Sequence, residues 1–197
     1  MTNQTRWTLN EANSEITFSI RHLMIAHIHG RFNTYDASIY TTDKDFTTAV
    51  INLWIDVASL SSDDTMRDEH LTSTDFFDVQ NYKQITFLSS SIEKQAEEGT
   101  YVLWGELTIK GIAKKIKLSV QAGDITTDHS GNEKVIFKIT GLINRNNWGL
   151  VWNKALETGG WMVSEDIALF CEIDLTSVNQ KNVTTELNLV PEHVGIF

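Results

Sequence analysis

Residues 14–22 read SEITFSIRH. In an extended chain Ile16, Phe18, Ile20 and His22 fall on one face, and Glu15, Thr17, Ser19 and Arg21 on the other. A period of two with an apolar and a polar face is the pattern of a half-buried β-strand. The pattern returns in KKIKLSVQAG (114–123) through Ile116, Leu118 and Val120, and in KVIFKITG (134–141) through Val135, Phe137 and Ile139. AVINLWIDV (49–57), QITFLSSSI (84–92), YVLWGELTI (101–109) and IALFCEIDL (167–175) are further strands by their β-branched and aromatic content.

About eight strands result, separated by turn signals such as Glu98-Gly99, Ala122-Gly123-Asp124 and Ser130-Gly131. The single proline is Pro191, so no strand is interrupted. No helical run of ordinary length separates the strands, which argues against parallel βαβ units and makes antiparallel neighbours joined by short loops the expectation. So many strands must hide their edges, and closure into a barrel does so. One stretch breaks the period: SSDDTMRDEHLTSTDFFD (61–78) predicts one or two short helical turns, with Thr65 and Asp68 as a capping pair, at one end of the barrel. The fold class is thus all-β, an antiparallel eight-stranded barrel with a short helical insertion near 61–78.

Composition narrows the function. With 197 residues, 41% hydrophobic and 21% charged, the chain suits one all-β domain with a core or an enclosed cavity. A net charge of -10 and no basic face argue against nucleic acid as a partner. No apolar run approaches the length of a membrane helix, so stable membrane insertion is not expected. The opening MTNQTRWTLNEAN has neither a basic nor an apolar leader region, which predicts a cytoplasmic location. Cys171 is alone, excluding an intrachain disulfide, and its apolar surroundings predict a buried inert thiol.

Several blocks also carry a resemblance. WTLNEANSEITFSIRHLMIAHIHGRF is similar to the opening strand pair of the YceI-like family through Trp7, Ser14, Ile16, Phe18, His22, Gly30 and Phe32. RDEHLTSTDFFD resembles that family's most specific block at Arg67, Asp68, His70, Leu71, Ser73, Asp75, Phe76, Phe77 and Asp78. ITF (85–87), GELTIKG (105–111) and INRNNWGL (143–150) follow in the family's order; Lys83 and Ala113 depart from it, where Pro and Thr are usual. The resemblance implies an extended lipocalin-like barrel over residues 1–177, with 178–197 as a C-terminal extension. It implies a hydrophobic lumen for a long-chain isoprenoid, quinone-like lipid or related amphiphile, no enzyme mechanism, no cofactor, and a homodimer formed through barrel edges or the C-terminal arm.

The residues that would touch such a ligand are Phe18, Ile20 and His22 by strand parity, Trp54 and Trp104 in their strands, Phe76 and Phe77 at the barrel end, and Trp148 and Trp152 at a lip. The 148–161 loop, with Gly159 and Gly160 as hinges and Trp161 beside them, is expected to gate the mouth. His22 is either a hydrogen-bonded structural histidine or a polar handle for a head group. His27 and His29 share the outer face with Arg31, so with His22 pointing inwards they form no metal cluster, and no metal-ligand motif is present. Arg67, Asp68 and His70 read as a structural knot tying the insertion to the rim. Two rival functions stand beside lipid binding: an interaction barrel with a filled lumen, and a lipid-modifying enzyme using His22 or His70 as acid or base. Neither a nucleophile–base pair nor G-x-S-x-G supports the second.

Overall fold

The computed structural model describes residues 4–23, 25–155 and 162–178. These residues form twelve strands and one α-helix: β1 (Gln4–Leu9), β2 (Glu15–His22), β3 (Ala26–Phe32), β4 (Tyr35–Thr42), β5 (Asp45–Asp56), β6 (Leu60–Ser61), α1 (Thr65–Thr72), β7 (Gln84–Lys94), β8 (Thr100–Ile109), β9 (Ile112–Ala122), β10 (Thr126–Thr127), β11 (Glu133–Asn144) and β12 (Val163–Val178). Eight of these close a ring in the order β11–β9–β8–β7–β5–β4–β1–β12 and back to β11, every pairing antiparallel. Closure leaves the ring without an unpaired edge, as the number of alternating segments demanded.

Of the three strands that alternation marked most clearly, β9 and β11 are in the ring and one is not. SEITFSIRH forms β2, which lies beside the ring and builds a side wall with β3. The long strand β12 makes this possible by changing partners. Its residues Val163 to Glu172 pair with β2, and Leu175 to Val178 pair with β1. Asp174 sits buried at the changeover. Its carboxylate accepts from the side-chain amides of Asn10 and Asn13, both at 3.1 Å, and its N–H donates to Ser14 Oγ at 3.0 Å, so the link from β1 to β2 is tied to the fork.

One end of the barrel is plugged by rings. Trp7 stands 5.0 Å from Phe46, which stands 4.8 Å from Phe137. The indole of Trp7 is buried and donates to Thr41 Oγ1 at 3.0 Å, as a buried indole N–H must find an acceptor. The insertion 61–78 lies at the opposite end. α1 is capped by Asp64, whose carboxylate accepts from Arg67 N–H at 3.1 Å, and not by the Thr65–Asp68 pair expected from sequence. Asp68 instead turns back to accept from Ser62 N–H at 2.8 Å and from Ser62 Oγ. The expected hinge at Gly159 and Gly160, Trp161, and the extension beyond residue 178 lie outside the described residues.

Candidate functional site

Within the barrel is a cavity of about 440 Å³, a size typical of small-molecule sites. Its wall follows from parity once register is fixed. On β5 the inward residues are Ile51, Leu53 and Ile55; on β8, Leu103 and Leu107; on β9, Ile116 and Leu118; on β12, Ile167, Leu169 and Cys171. The titratable side chains that line it, apart from Cys171 and Tyr101, are His22, Arg67, His70 and Arg145; among the described residues no carboxylate does so. Leu103 and Leu107 lie in the cavity wall yet are closed to bulk water, which leaves an apolar chamber with its guanidinium and imidazole groups gathered towards α1.

The structure brings most of the predicted residues together. Phe18, Ile20, His22, Phe76, Phe77, Trp148 and Trp152 all line the cavity. Phe18, Phe32 and Phe77 form a chain of rings with centroids 5.7 and 6.3 Å apart. At the α1 end, His70 meets Trp152 at 4.6 Å and Phe76 at 5.1 Å, both edge-on, and Phe76 meets Trp152 at 5.3 Å. The other side of the His70 ring is held by Asp75, with Nε2 to Oδ2 at 3.1 Å. Arg67 fixes the helix through Nε to Ser62 Oγ and Nη2 to Ser62 O, each at 2.7 Å. Arg67 and Asp68 do not pair with one another; both grip Ser62. His22 is half-buried on the cavity wall, and its imidazole has no hydrogen-bond partner in the protein among the described residues.

Two expected residues are misplaced. Trp54 and Trp104 are on the outer face. Trp54 is 36% exposed, with Leu53 and Ile55 taking the inward positions either side of it. Trp104 lies outside between Leu103 and Gly105, with the ammonium groups of Lys115 and Lys117 at 5.1 and 5.8 Å from its ring. Both strands are apolar on two faces, so alternation alone did not settle which face turned in; the cation-π pairing supplies the outward preference at Trp104. Trp148 also differs from the mobile lip expected of it. It is 1% exposed, and its N–H donates to the Leu107 carbonyl at 3.0 Å, so it is a fixed part of the wall.

Arg145 was missed. It is 2% exposed, and its guanidinium donates to the carbonyls of Trp152 and Ser164, both at 2.9 Å, and of Leu150. Burial pulls its pKa below the usual arginine value. It therefore organises the Leu150–Trp152 segment that carries the Trp152 lid. The available signal was an arginine inside INRNNWGL, between an apolar strand and a Trp. Cys171 faces the cavity, and burial pushes its thiol pKa up to about 12. Among the described residues, no group of three or more His, Cys, Asp or Glu could hold a metal ion.

The sequence profile of the YceI-like domain matches residues 7–182. The chain belongs to the YceI-like family. Its YceI-like relatives include a UPF0312 protein of Staphylococcus aureus strain MSSA476, 33% identical over 164 residues that span 83% of this chain and 92% of the relative. Among solved structures, the Campylobacter jejuni YCEI protein is 28% identical, covers 81% of this chain and 90% of its own, and superposes with a TM-score of 0.71. BcnA of Burkholderia cenocepacia (23% identity, 84% and 98% coverage, TM-score 0.70) and a polyisoprenoid binding domain from Saccharophagus degradans (14%, 87% and 98%, TM-score 0.63) share the YceI-like fold.

Proposed function

We propose that this YceI-like protein binds one long apolar lipid non-covalently inside its barrel and performs no chemistry on it. The observation that carries the reading is the cavity itself: about 440 Å³, walled by aliphatic and aromatic side chains, with no carboxylate of the described residues facing it. Such a wall offers nothing to a polar solute, whereas an alkyl or prenyl chain gains about 0.8 kcal/mol for each CH₂ taken out of water. The head group sits towards α1, where His22 and His70 give an otherwise apolar chamber a few placed polar groups. An isoprenoid is the first ligand to test, because the Saccharophagus degradans domain of the same fold is described as polyisoprenoid binding.

The rival readings fit less well. A barrel with a side-chain-filled lumen does not leave a chamber of this size. A lipid-modifying enzyme needs an activated nucleophile or an oriented base, but the Cys171 thiol is held neutral by burial, His70 is held by Asp75, Phe76 and Trp152, and His22 has no partner among the described residues to orient it.

Titration of delipidated protein with a fluorescent polyprenyl probe tests the proposal. Saturation at one probe per chain, with the probe recovered intact, is the expected result. No saturable binding, or binding only at denaturing detergent levels, would remove it.

A further inference from the structure

The cavity reaches the surface beside α1, where Met66 lines it and is nevertheless 82% exposed. The turn between β2 and β3 stands at the same end. His22, which precedes it, lines the cavity, and Leu23 N–H donates at 2.8 Å to the carbonyl of Met162, another lining residue. At the tip of that turn Leu23 and Ile25 are exposed, Ile25 to 87%. Val151 is exposed one residue before Trp152, whose ring packs on His70, one helical turn from Met66. Four large apolar side chains therefore stand in water around the opening of an apolar chamber. Single exposed apolar residues are ordinary, but a cluster at the rim of such an opening marks a place of contact.

Charge indicates what the contact is. The hairpin RHLMIAHIHGR (21–31) carries two arginines, three histidines and no acidic residue in a chain whose net charge is -10. Arg31 is bound by Asp63, while Arg21 makes no ion pair among the described residues. An apolar tip in an acid-free hairpin, with Arg21 two residues from Leu23, is an arrangement that seats a protein in the head-group layer of an anionic leaflet. Exposed Asp64, which caps α1, and Glu69 stand beside Met66, so the acid-free hairpin tip makes the closest approach to such a leaflet and the acidic bulk of the molecule is held off it. We propose that the rim formed by Leu23, Ile25, Met66 and Val151 docks on an anionic lipid bilayer, and that lipid enters and leaves the cavity through this contact. The proposal rests on the lipid-binding reading above and adds the route: with the mouth seated, a prenyl chain passes between bilayer and barrel without crossing water.

Flotation of the full chain with vesicles of phosphatidylcholine, with and without phosphatidylglycerol, tests it. The unsubstituted protein should float with the phosphatidylglycerol vesicles. The double variant Ile25→Asp, Met66→Asp should float roughly tenfold less. Val50→Asp, which replaces an exposed apolar residue on the outer face of β5, should float like the unsubstituted protein. Absence of flotation, or equal flotation of the rim variant, overturns the proposal, as does a rim substitution that splits a dimer in light scattering while vesicle binding is nil. Bound lipid is measured in the same samples. Protein that carries lipid but does not float removes the docking alone; lipid-free protein that floats supports the docking and removes the cargo.

Discussion

The ring of Phe18 lies across the backbone of Gly30, its cross-strand partner, so closely that a Cβ on residue 30 would stand 2.3 Å from Phe18 Cζ. Gly30 leaves the space that lets Phe18 lie along the cavity wall. Phe87 covers Gly105 in the same way, at 2.2 Å, but there the Leu88 carbonyl also stands at 2.7 Å. Gly30→Ala should fold, since only the end of a ring must move and the lumen can receive it. It should lose about 1–3 kcal/mol and take up less lipid. Gly105→Ala meets backbone as well and should be the more destabilising of the two. Urea denaturation of both variants, with probe titration of the first, checks the ordering.

Trp152 closes the α1 end by its contacts with His70 and Phe76. Trp152→Ala should keep the fold and raise the rate of probe release, since changes in a binding surface act mostly on off-rates. Trp54→Ala and Trp104→Ala, on the outer face, should leave release unchanged. Stopped-flow displacement of the probe compares the three, and equal effects would mean that the inner and outer faces are assigned wrongly.

Arg145 donates to three main-chain carbonyls, that of Leu150 buried and those of Trp152 and Ser164 partly so. Arg145→Met should cost about 3 kcal/mol or more, because those acceptors lose their partner where water cannot replace it. Arg145→Lys, which keeps the charge but not the planar fork, should recover only part of that. The melting temperatures of the two variants give the comparison, and probe release in Arg145→Met should approach that of Trp152→Ala if the guanidinium holds the lid.

Cys171 makes a prediction about pH. Its thiol pKa is raised to about 12 in the folded protein from an ordinary 9.0. The neutral thiol is favoured by the fold, so this contribution to stability is complete below the unfolded pKa and falls away as pH rises from there towards 12. Cys171 should therefore resist iodoacetamide at pH 8 in the native state and react readily in urea. Cys171→Ser should remove this part of the alkaline loss of stability.

Much of this was legible from residues. Period-two alternation indicated an antiparallel barrel; the parity of SEITFSIRH put Phe18, Ile20 and His22 on the cavity side, and that of residues 27–32 put His27 and His29 outside with Arg31, where the structure has them. Alternation did not show that β2 stands beside the ring, because a strand's pattern records which face is buried and not which strand pairs with it. It also passed over β4, YDASIYTT, whose inward side chains include the small Ala37 and the polar Thr41. Trp54 and Trp104 were misplaced because their neighbours on both faces are apolar. Arg145 was passed over for a different reason: its place inside INRNNWGL hinted at burial, but its acceptors are main-chain carbonyls, which leave no trace in the sequence.

The central claim is that the barrel carries a lipid, and the most direct measurement is mass spectrometry of the organic extract from protein purified without detergent. The account predicts a long-chain apolar lipid at about one per chain, absent from an equally purified Phe18→Asp variant whose circular dichroism is unchanged, since an unpaired carboxylate in the apolar chamber is severely penalised. An extract free of lipid, together with no uptake of polyprenyl probe by the same protein, would contradict it.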